Sequence, residues 1–558
     1  MAAPNDVRTS LERKRAALRR EVSTWEPTWK GLARCLAPYL GYFEGDLPNE
    51  GNRRDDDIID GTALRAINVF TSGLQSGLTS PARPWFRLTT TDPELGKSKR
   101  VRSWLDNVQL IMMEIFSESN FYDELLRVYS ELAVFGTGAM LISEDYETVI
   151  RCRAYTAGEY CLGLNAERRV DTFCMLARLT PRQMVGRFGV DAVSDAVKDA
   201  YENGHADDTY REVHFLIEPN DGEIPFFASD ERPWRGIHWE SSGEPDRLLE
   251  VAGYNEFPVP APRWNATGRD VYGRGPGWDA VGDVKMLQKM QKDKLMALDK
   301  LVNPPMTGPS TMKRTGVNLL PGGMNYADAM NQGDGLRPVY QLNPDLQSIE
   351  YSIDKTQQAI RSTFFNDLFL MLANSPRPQM TAREVAERFE EKLLMLGPVL
   401  ERTEGDLLSP TIDRVFGIMD RVGILPPPPE EVEGAPIQVE YISILAQAQR
   451  MVGTSAIEQF VGFVGNLAGA KPEVLDNVNF DAAAATYGEM LGVPADLMHD
   501  EEVVAQIREG RAQQQAQMQQ AAMMQQAAQG VKTLSEADTG ENTALGALLS
   551  GIGGGGAP

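Results

Sequence analysis

The sequence predicts an α+β protein that is predominantly helical, and three observations lead to this fold class. Stretches towards both ends of the chain carry apolar residues at helical spacing. Residues 147–260 instead alternate apolar and polar residues, as strands do. One amphipathic helix, residues 278–302, then runs without interruption until Asn303-Pro304-Pro305 stops it. A helical N-terminal part therefore leads into a mixed β region and then into further helices.

The composition is that of a folded, acidic protein. The 558 residues carry a formal net charge of −24, and 42% of them are hydrophobic. The length predicts roughly two to four structural units, and the apolar content is sufficient for buried cores. A free-standing DNA-binding protein usually has a basic surplus, because phosphate neutralisation supplies most of its affinity. We therefore expect this chain not to hold nucleic acid strongly, although DNA can still pass along it.

No membrane segment is predicted. Apolar runs stay well short of the roughly 18 residues that a membrane span needs, and the charged N-terminus is followed by no apolar stretch of a signal peptide. The cysteines have no CxxC spacing, so we expect reduced, half-buried thiols in a cytosolic product. They are Cys35, Cys152, Cys161 and Cys174.

The first half of the chain predicts helices and then strands. The predicted helices are 9–36, 61–79, 98–118 and 121–136, followed by a strand at 140–142, a hairpin of 160–164 with 172–176, and strands near 210–218, 235–240 and 247–254. Trp25 and Trp29 in the first helix are expected core anchors. One helix interrupts the strands and begins with Thr180 as its cap and Pro181 in its first turn.

After the long helix, the chain shows little periodicity until a second helix near 352–373. A loop at 374–379 follows, and Thr381 then opens another helix with a capping box. The run Pro426–Pro429 predicts a stiff, exposed hinge and a plausible boundary. Residues 443–510 are again helical in pattern. Residues 511–530 are rich in Gln, Ala and Met and predict either a self-associating helix or a disordered tail, and the Gly-rich end is expected to be disordered.

The long helix has two contrasting sides. Its broad apolar side is formed by Val284, Met286, Leu287, Met290, Leu295, Leu298, Leu301 and Val302. Four lysines fall within a narrow arc on the other side: Lys285, Lys289, Lys292 and Lys300. For an arbitrary protein such a stripe is most simply a solvated face. In an otherwise acidic chain, however, a lysine stripe on a long helix needs a reason.

Catalytic and metal-binding motifs are missing from the sequence. It contains no Walker A loop, HExxH or GxSxG motif, and its four histidines are scattered. The segment 273–277 resembles a phosphate loop only superficially, because Pro276 has no N–H and no Lys-Ser/Thr pair follows. Asp55-Asp56-Asp57 has the oxygen ligands that Mg²⁺ prefers, but a solvated loop before a helix cap at Asp60 or Thr62 is the favoured interpretation. We expect no enzyme and no cofactor.

Several local motifs follow one another between residues 20 and 425. They are Asp60-Gly61-Thr62-Ala63 with 73–81 and Pro84-Trp85-Phe86; Phe135-Gly136-Thr137-Gly138; Phe257-Pro258-Val259-Pro260 with Arg263-Trp264; 272–276; and 380–385 with Leu396-Gly397-Pro398. In order and spacing they resemble the portal proteins, or head-to-tail connectors, of short-tailed, podovirus-type bacteriophages. The remaining C-terminal residues carry no motif of this family.

The resemblance implies a portal fold assembled as a ring at one capsid vertex, with DNA moving through its channel. It assigns residues 1–276 and 380–440 to a wing, 277–302 and 351–373 to two stem helices, 303–350 to a clip, 374–379 to a tunnel loop, 441–510 to a helical crown and 511–558 to a tail. The tunnel loop comprises Asn374, Ser375, Pro376, Arg377, Pro378 and Gln379.

The same resemblance makes the lysine stripe and Arg377 candidate DNA-channel residues. The stripe can equally face solvent outside the stem or pair with acids of a neighbouring subunit, such as Asp354 or Asp367. The implied partners are further copies in a dodecameric ring, double-stranded DNA bound without sequence specificity, a terminase motor, a tail adaptor, and the major capsid and scaffold proteins. The implied location is the virion, after assembly in the host cytoplasm. The alternatives are a packaging nuclease or ATPase, with Glu390-Glu391 as weak support, or a capsid or scaffold protein.

Overall fold

The structure is a computed structural model of the chain. It describes residues 4–43, 58–92, 95, 98–220, 232–242, 247–308, 318, 337–339, 345–373, 396–432, 436–443, 460–469, 471–483 and 501–536. Two compact units are present, Met1–Ala456 and Ile457–Pro558.

The N-terminal segment forms two helices, α1 (Pro4–Ser23) and α2 (Glu26–Leu36), and the single helix expected from the sequence is wrong here. The chain turns at Trp25, and Pro27 lies in the first turn of α2. Proline is tolerated there because the first N–H groups of a helix have no internal partner, whereas it would break a continuous helix. Trp29 is fully buried and Trp25 is half-buried, as expected of core anchors.

The next part of the chain forms three helices that agree with the sequence pattern and one strand, β1 (Phe86–Thr90), that was not predicted. The helices are α3 (Thr62–Leu78), α4 (Lys99–Glu118) and α5 (Phe121–Val134). Their apolar faces join one large core, in which Phe70, Phe116 and Phe121 are completely buried. Helix α3 packs on α5, so the predicted apolar side of α3 is buried within the same subunit.

The strand-rich region contains a hairpin and a five-stranded sheet. The hairpin pairs β2 (Ala139–Asp145) with β3 (Val149–Tyr155). The sheet is an antiparallel meander of β4 (Tyr160–Leu164), β5 (Val170–Leu179), β6 (Arg211–Pro219), β7 (Trp234–Glu240) and β8 (Glu250–Tyr254). The predicted hairpin of β4 and β5 is confirmed, with Leu162 opposite Phe173.

Two short helices, α6 (Pro181–Phe188) and α7 (Asp195–Glu202), interrupt the meander. The predicted cap at Thr180 is confirmed. Its hydroxyl accepts a hydrogen bond from the Gln183 N–H at 3.4 Å, and the Gln183 side chain accepts one from the Thr180 N–H at 2.9 Å. This reciprocal pair is a capping box, and it satisfies two donors at the start of α6.

The long predicted helix is α8 (Pro276–Val302), and it ends at Asn303 as expected. A two-residue ladder, β9 (Met306–Thr307) with β10 (Arg337–Pro338), follows it. The second predicted helix is divided into α9 (Leu346–Thr363) and α10 (Asn366–Ala373), so a continuous helix at 352–373 is wrong. The break lies at Phe365, whose φ of 53° is left-handed.

The break between α9 and α10 directs aromatic side chains into the core beside α3. Phe364 and Phe369 are both buried, and each forms an edge-to-face contact with Phe70. A Cβ atom on Gly73 would lie 2.2 Å from Phe369 Cγ, so the absence of a side chain at Gly73 makes this packing possible. Aromatic burial therefore overrides the helical tendency of this segment.

The last part of the first unit packs against its N-terminal elements, β1 and α4. A helix at 396–403 continues through a π-helical turn, Glu404–Leu408, into α11 (Ser409–Val422). After the proline run, β11 (Ile437–Tyr441) pairs with β1, with Phe86 opposite Tyr441. The indole N–H of Trp104 donates to the Pro426 carbonyl at 2.9 Å. The run therefore does not separate the two units, contrary to the sequence interpretation.

The second unit is helical in its described parts. It contains a helix at 460–468, a 3₁₀ turn at Pro472–Asn477 and the long α12 (Glu501–Glu536), which includes the Gln/Ala/Met-rich stretch. Arg508 of α12 pairs with both carboxylate oxygens of Asp481, at 2.7 and 2.6 Å. Met518, Met523 and Met524 are exposed.

We predict that Gly73→Ala lowers the melting temperature of the first unit, because the new methyl group must displace Phe369. Overpacking of this kind costs roughly 1–3 kcal/mol. The matched control is Gly31→Ala in α2, where an added Cβ has no neighbour within 4 Å. That change is expected to stabilise the helix by about 0.5–1 kcal/mol. Scanning calorimetry tests both variants, and equal effects would contradict the role assigned to Gly73.

Candidate nucleic-acid interface on the α8–α9 hairpin

Helices α8 and α9 pack against each other as a hairpin, and its two halves differ in burial. In the N-terminal half of α8, Ala280, Val284 and Leu287 are fully buried. In the C-terminal half, the apolar side predicted from the sequence is uncovered: Leu295 is 54% exposed and Val302 is 75% exposed. The chain itself therefore covers the base of the hairpin and leaves the far half of its apolar side in solvent.

The four predicted lysines lie together on α8, and all are exposed. They are Lys285, Lys289, Lys292 and Lys300, and they lie on the side of the helix away from the buried Val284 and Leu287. Lys289 Nζ is 2.9 Å from Asp293 Oδ1, one turn further along the same helix. Whether the stripe faces DNA stays a prediction, and Asp354 and Asp367 are exposed and remain possible partners.

Some predicted site residues lie outside the described residues. These are the whole tunnel loop with Arg377, the capping box at Thr381, Asp55-Asp56-Asp57 and Glu390-Glu391. Helix α10 ends at Ala373, next to the first residue of the loop. The constriction proposed at Arg377 therefore stays a prediction.

The base of the hairpin is fixed by a direct contact between two glycine-rich segments. Gly136 has a φ of +85°, and a Cβ atom on it would lie 2.2 Å from the Gly275 nitrogen. A Cβ on Gly275 would in turn lie 2.2 Å from the Leu132 carbonyl oxygen. Neither position accepts a side chain without a shift of backbone. The segment 273–277 thus serves as a packing surface, in agreement with the rejection of a phosphate loop.

Hydrogen bonds close this contact from both sides. The Gly273 N–H donates to Thr137 Oγ1 at 2.7 Å, and the indole N–H of Trp278 donates to the Phe135 carbonyl at 2.8 Å. Trp278 belongs to the first turn of α8, so its indole ties the helix directly to the segment after α5. The rings of Trp25 and Trp278 both lie 5.6 Å from the Arg274 guanidinium, which fixes α2 at the same point.

The proline-rich segment 258–262 lines the other edge of β2. The N–H groups of Gly138, Met140 and Ile142 donate to the carbonyls of Pro262, Pro260 and Pro258, at 3.1, 3.1 and 2.9 Å. Proline has no N–H, so these residues accept hydrogen bonds from the strand but give none back. The alternating prolines therefore satisfy an exposed strand edge without extending the sheet.

Asp60 joins three helices at the start of α3. Its Oδ1 accepts a hydrogen bond from the Thr62 N–H at 2.8 Å, although the N-cap of α3 is Gly61 and not Asp60 or Thr62 as predicted. Its Oδ2 accepts from Gln291 of α8 at 2.9 Å and from Gln357 of α9 at 2.7 Å. Gln288 completes the joint, because its side chain accepts from the Asp60 N–H and donates to the Asp60 carbonyl, both at 2.8 Å.

Burial raises the pKa of the Asp60 carboxyl, but the hydrogen bonds it accepts outweigh burial and leave the pKa below its usual value of 3.8. The carboxylate is therefore charged at neutral pH. Sequence reasoning placed a cap at Asp60 or Thr62, one residue away from the N-cap Gly61, and missed the three glutamines. All three glutamines are half-buried in the structure. In the sequence they are ordinary polar residues of two helices, and nothing there marks them as partners of Asp60.

Within the described residues, no group of three or more His, Cys, Asp or Glu side chains is arranged to hold a metal ion. Among the same residues, no helix is both long and apolar enough to cross a membrane.

The chain therefore has a long helical hairpin that is fixed at its base to an α+β body and is uncovered along its far half. The sequence pattern of the family described as "Bacteriophage head to tail connecting protein" matches residues 8–498. The chain belongs to this family, and its function is that of a phage portal, the connector between head and tail.

Two curated relatives are similar over nearly their whole length. The "Portal protein" of Salmonella phage epsilon15 is 43% identical over 545 residues, which cover 97% of this chain and 98% of that protein. The "Probable portal protein" of Bordetella phage BPP-1 is 41% identical over 529 residues, which cover 95% of both. A chain of the solved "Neck of empty GTA particle computed with C6 symmetry" is 12% identical, with a TM-score of 0.38; the match covers 80% of this chain and 99% of that one.

We predict that Asp60→Ala loosens the hairpin, because the amides of Gln291 and Gln357 and the Thr62 N–H lose their shared acceptor. Unmet buried donors cost roughly 1–3 kcal/mol. Hydrogen exchange should accelerate at the start of α3 and along the bases of α8 and α9. The control is Asp293→Ala, which removes only an exposed partner of Lys289. Identical exchange in both variants would refute the joint.

The same variant makes a prediction about pH. A carboxyl whose folded pKa is depressed stabilises the fold above its ordinary pKa, and this contribution is lost as the pH falls through the folded pKa. The difference in melting temperature between wild type and Asp60→Ala should be constant near neutral pH. It should shrink as the pH drops below the ordinary value of 3.8.

Proposed function

We propose that this portal chain forms a closed ring at one capsid vertex and that double-stranded DNA passes through the ring during packaging and ejection. The observation that carries the ring is the uncovered far half of α8. Leu295, Leu301 and Val302 are exposed there, although α9 packs against α8. A neighbouring copy that covers them meets a different surface of this chain, and such head-to-tail contacts close only as rings.

In this proposal α8 and the segment 351–373, which contains most of α9 and all of α10, form the stem around the channel. Residues 303–350 form the clip, 374–379 the tunnel loop, 1–276 and 380–440 the wing, 441–510 the crown and 511–558 the tail. The ring is a dodecamer. It meets the terminase motor during packaging and the tail adaptor afterwards, and the major capsid and scaffold proteins surround it. The assembled ring is a component of the virion, and assembly takes place in the host cytoplasm.

Charge supports the proposal that DNA slides and is not held. The chain carries −24, so a ring of such chains repels phosphate over most of its surface. The exposed lysines of α8 attract phosphate only weakly, because salt screens the attraction beyond a Debye length of about 8–10 Å. Contacts to phosphate carry no sequence information. Weak contacts of this kind let DNA of any sequence move.

Arg377 is proposed as the constriction residue of the channel. Pro376 and Pro378 stand on either side of it, and proline fixes φ and gives no N–H, so the loop cannot join its flanking segments into one helix. Arginine stays charged and contacts phosphate without reading sequence. A structure of the ring that resolves this loop tests the assignment, and an Arg377 on the outer rim would overturn it.

We propose that the chain is not an enzyme. The measurement that separates it from a packaging ATPase or nuclease is hydrolysis of ATP and cleavage of DNA by the pure protein in the presence of DNA. Electron microscopy of the same preparation separates a portal from a capsid or scaffold protein. A portal gives closed rings of one size, whereas a capsid protein gives shells.

The ring itself is the first test. The purified chain is expected to sediment as one large closed species, and Leu295→Glu should shift it towards smaller species because a charge enters the proposed interface. Val190→Glu, at an exposed site outside the hairpin, should leave the ring intact. A compact monomer of 61.7 kDa at micromolar concentration would refute the ring.

The second test concerns the lysine stripe. Replacing Lys285, Lys289, Lys292 and Lys300 with Gln should leave rings intact but reduce DNA packaging or retention by about twofold or more, most strongly at low salt. A control removes four charges elsewhere, with Gln at Lys99, Arg100, Lys198 and Lys471, and should behave as wild type. Loss of the rings themselves would instead make the stripe an ion-pair surface between subunits.

A further inference from the structure

Two of the four cysteines of the chain are direct partners across a pair of strands. Cys161 of β4 lies opposite Cys174 of β5 in the register of the five-stranded sheet. All four cysteines are thiols in this structure. Neither the sequence motifs nor the proposed channel uses this pair. In a chain of 558 residues with so few cysteines, such a direct pairing is a specific feature of the fold.

The backbone geometry of the pair suits a disulfide. The N–H of Leu176 donates to the carbonyl of Glu159 at 3.3 Å, and hydrogen-bonded and non-hydrogen-bonded pairs alternate along antiparallel strands. Cys161 and Cys174 lie two residues further along each strand, so they too are a hydrogen-bonded pair. The Cα atoms of such pairs are roughly 5.5 Å apart. Disulfides join residues whose Cα atoms are roughly 4.4–6.8 Å apart, so the strands already have the required spacing.

Both thiols line one cavity of about 620 Å³. Its walls come from α1, from the chain at Tyr42-Phe43, and from strands β3 to β6. A cavity of that size has room for a small organic molecule. Cys161 is 8% exposed and Cys174 is 3% exposed, so Cys161 is the first thiol that a reagent in the cavity meets.

The surroundings of the pair determine how readily it reacts. Burial raises the pKa of the Cys161 thiol to about 11, and Arg19 of α1 opposes this by its charge and by a hydrogen bond to that thiol. Burial also raises the pKa of Cys174 well above its usual value of 9.0. The thiolate is the species that attacks a disulfide, so exchange at this pair is slow near neutral pH and begins at Cys161.

We propose that Cys161 and Cys174 form a reversible disulfide by exchange with a small-molecule disulfide. The Cys161 thiolate attacks one sulfur of the reagent, breaks its S–S bond and releases one thiolate. Cys174 then loses its proton to solvent and attacks the Cys161 sulfur of the mixed disulfide, which releases the second thiolate. The protein loses two electrons and two protons in all, and the reagent is reduced to two thiols.

The disulfide fastens a strand that the sheet holds from one side only. Strand β4 is at the edge of the five-stranded sheet, where its neighbour is β5. Helix α1 packs on β4, so the bond also fixes the strand on which the start of the chain rests. A covalent bond between the strands therefore reinforces the pairing that holds β4 in its sheet.

The timing of this reaction rests on the proposed function. Glutathione keeps thiols reduced in the cytoplasm, where assembly is proposed to occur, whereas extracellular surroundings are oxidising. The pair would therefore stay reduced during assembly and close in the released virion. The exchange itself depends on the fold of one chain and not on the ring, so its test can fail or succeed independently of the portal function.

Peptide mapping of the folded, full-length protein tests the proposal. The protein is treated with 2-hydroxyethyl disulfide, its remaining thiols are blocked with iodoacetamide, and it is digested with trypsin without reduction. Trypsin cleaves after Arg168 and Arg169, so the two cysteines fall in different peptides. The expected result is a disulfide-linked pair of these peptides that dithiothreitol separates. Blocked thiols at both positions, or a mixed disulfide that persists on Cys161, would overturn the proposal.

The pH dependence of the linking rate tests the order of attack. The charged side chains that act on the two thiols are arginines and glutamates, which keep their charges between pH 7 and 9. They are Glu12, Arg15, Arg19, Glu26 and Glu218. The rate should therefore rise about tenfold per pH unit in this range, because the thiolate fraction does so below a pKa of about 11. A rate that does not change with pH would contradict attack by a buried thiolate.

Variants complete the test. Cys161→Ser and Cys174→Ser should each abolish the linked pair, whereas Cys35→Ser should keep it, because Cys35 lies in α2 and outside the sheet. Oxidation should slow hydrogen exchange in β4 of the wild type and leave it unchanged in Cys174→Ser. Circular dichroism establishes that each variant is folded. Equal exchange in β4 of the oxidised and reduced wild type would refute the fastening of the strand.

Discussion

The orientation of α8 depends on one contact, the approach of the backbone at Gly275 to the backbone at Gly136. No side chain intervenes, so the first turn of the helix is held directly by the end of α5. A helix of 27 residues is about 40 Å long, so a small rotation at this base moves its far end by several ångströms. The indole of Trp278 and the Asp60 joint restrict that rotation at two further points along the helix. The placement of every lysine of the stripe follows from these restraints.

Periodicity predicted most of the elements, because a helix or a hairpin is encoded by neighbouring residues. The bounds of α3, α4, α5, α8 and the β4–β5 hairpin follow from spacing alone. The contacts between distant segments do not. Residues 135–138, 257–260 with 263–264, and 272–276 are three separate motifs in the sequence, yet they meet at the base of the hairpin. The pairing of β1 with β11, some 350 residues apart, likewise has no local signal.

The wrong predictions have tertiary causes. The pattern from 352 to 373 is helical throughout, but burial of Phe364 and Phe369 beside Phe70 breaks the helix at Phe365. The joint at Asp60 was missed because glutamine leaves no periodic trace in a helix. For the lysine stripe, the shared face follows from 3.6 residues per turn, whereas the surface it meets depends on a neighbouring molecule. The sequence of one chain therefore determines which lysines share a face, but it does not determine which neighbouring surface they contact.

The base and the far half of the hairpin have different roles: the covered base fixes the direction of α8, and the uncovered far half is available to a neighbouring copy. At the base, buried Val284 and Leu287 and the charged Asp60 joint fix the direction of α8 within one chain. The far half has no such support, so under the proposed ring its apolar side is covered only when a neighbour arrives. Its stability would then depend on subunit concentration, while that of the base would not. In such a stem the direction of α8 is fixed before assembly, and the far half becomes rigid only on assembly. This suits a channel wall that is formed by many identical copies.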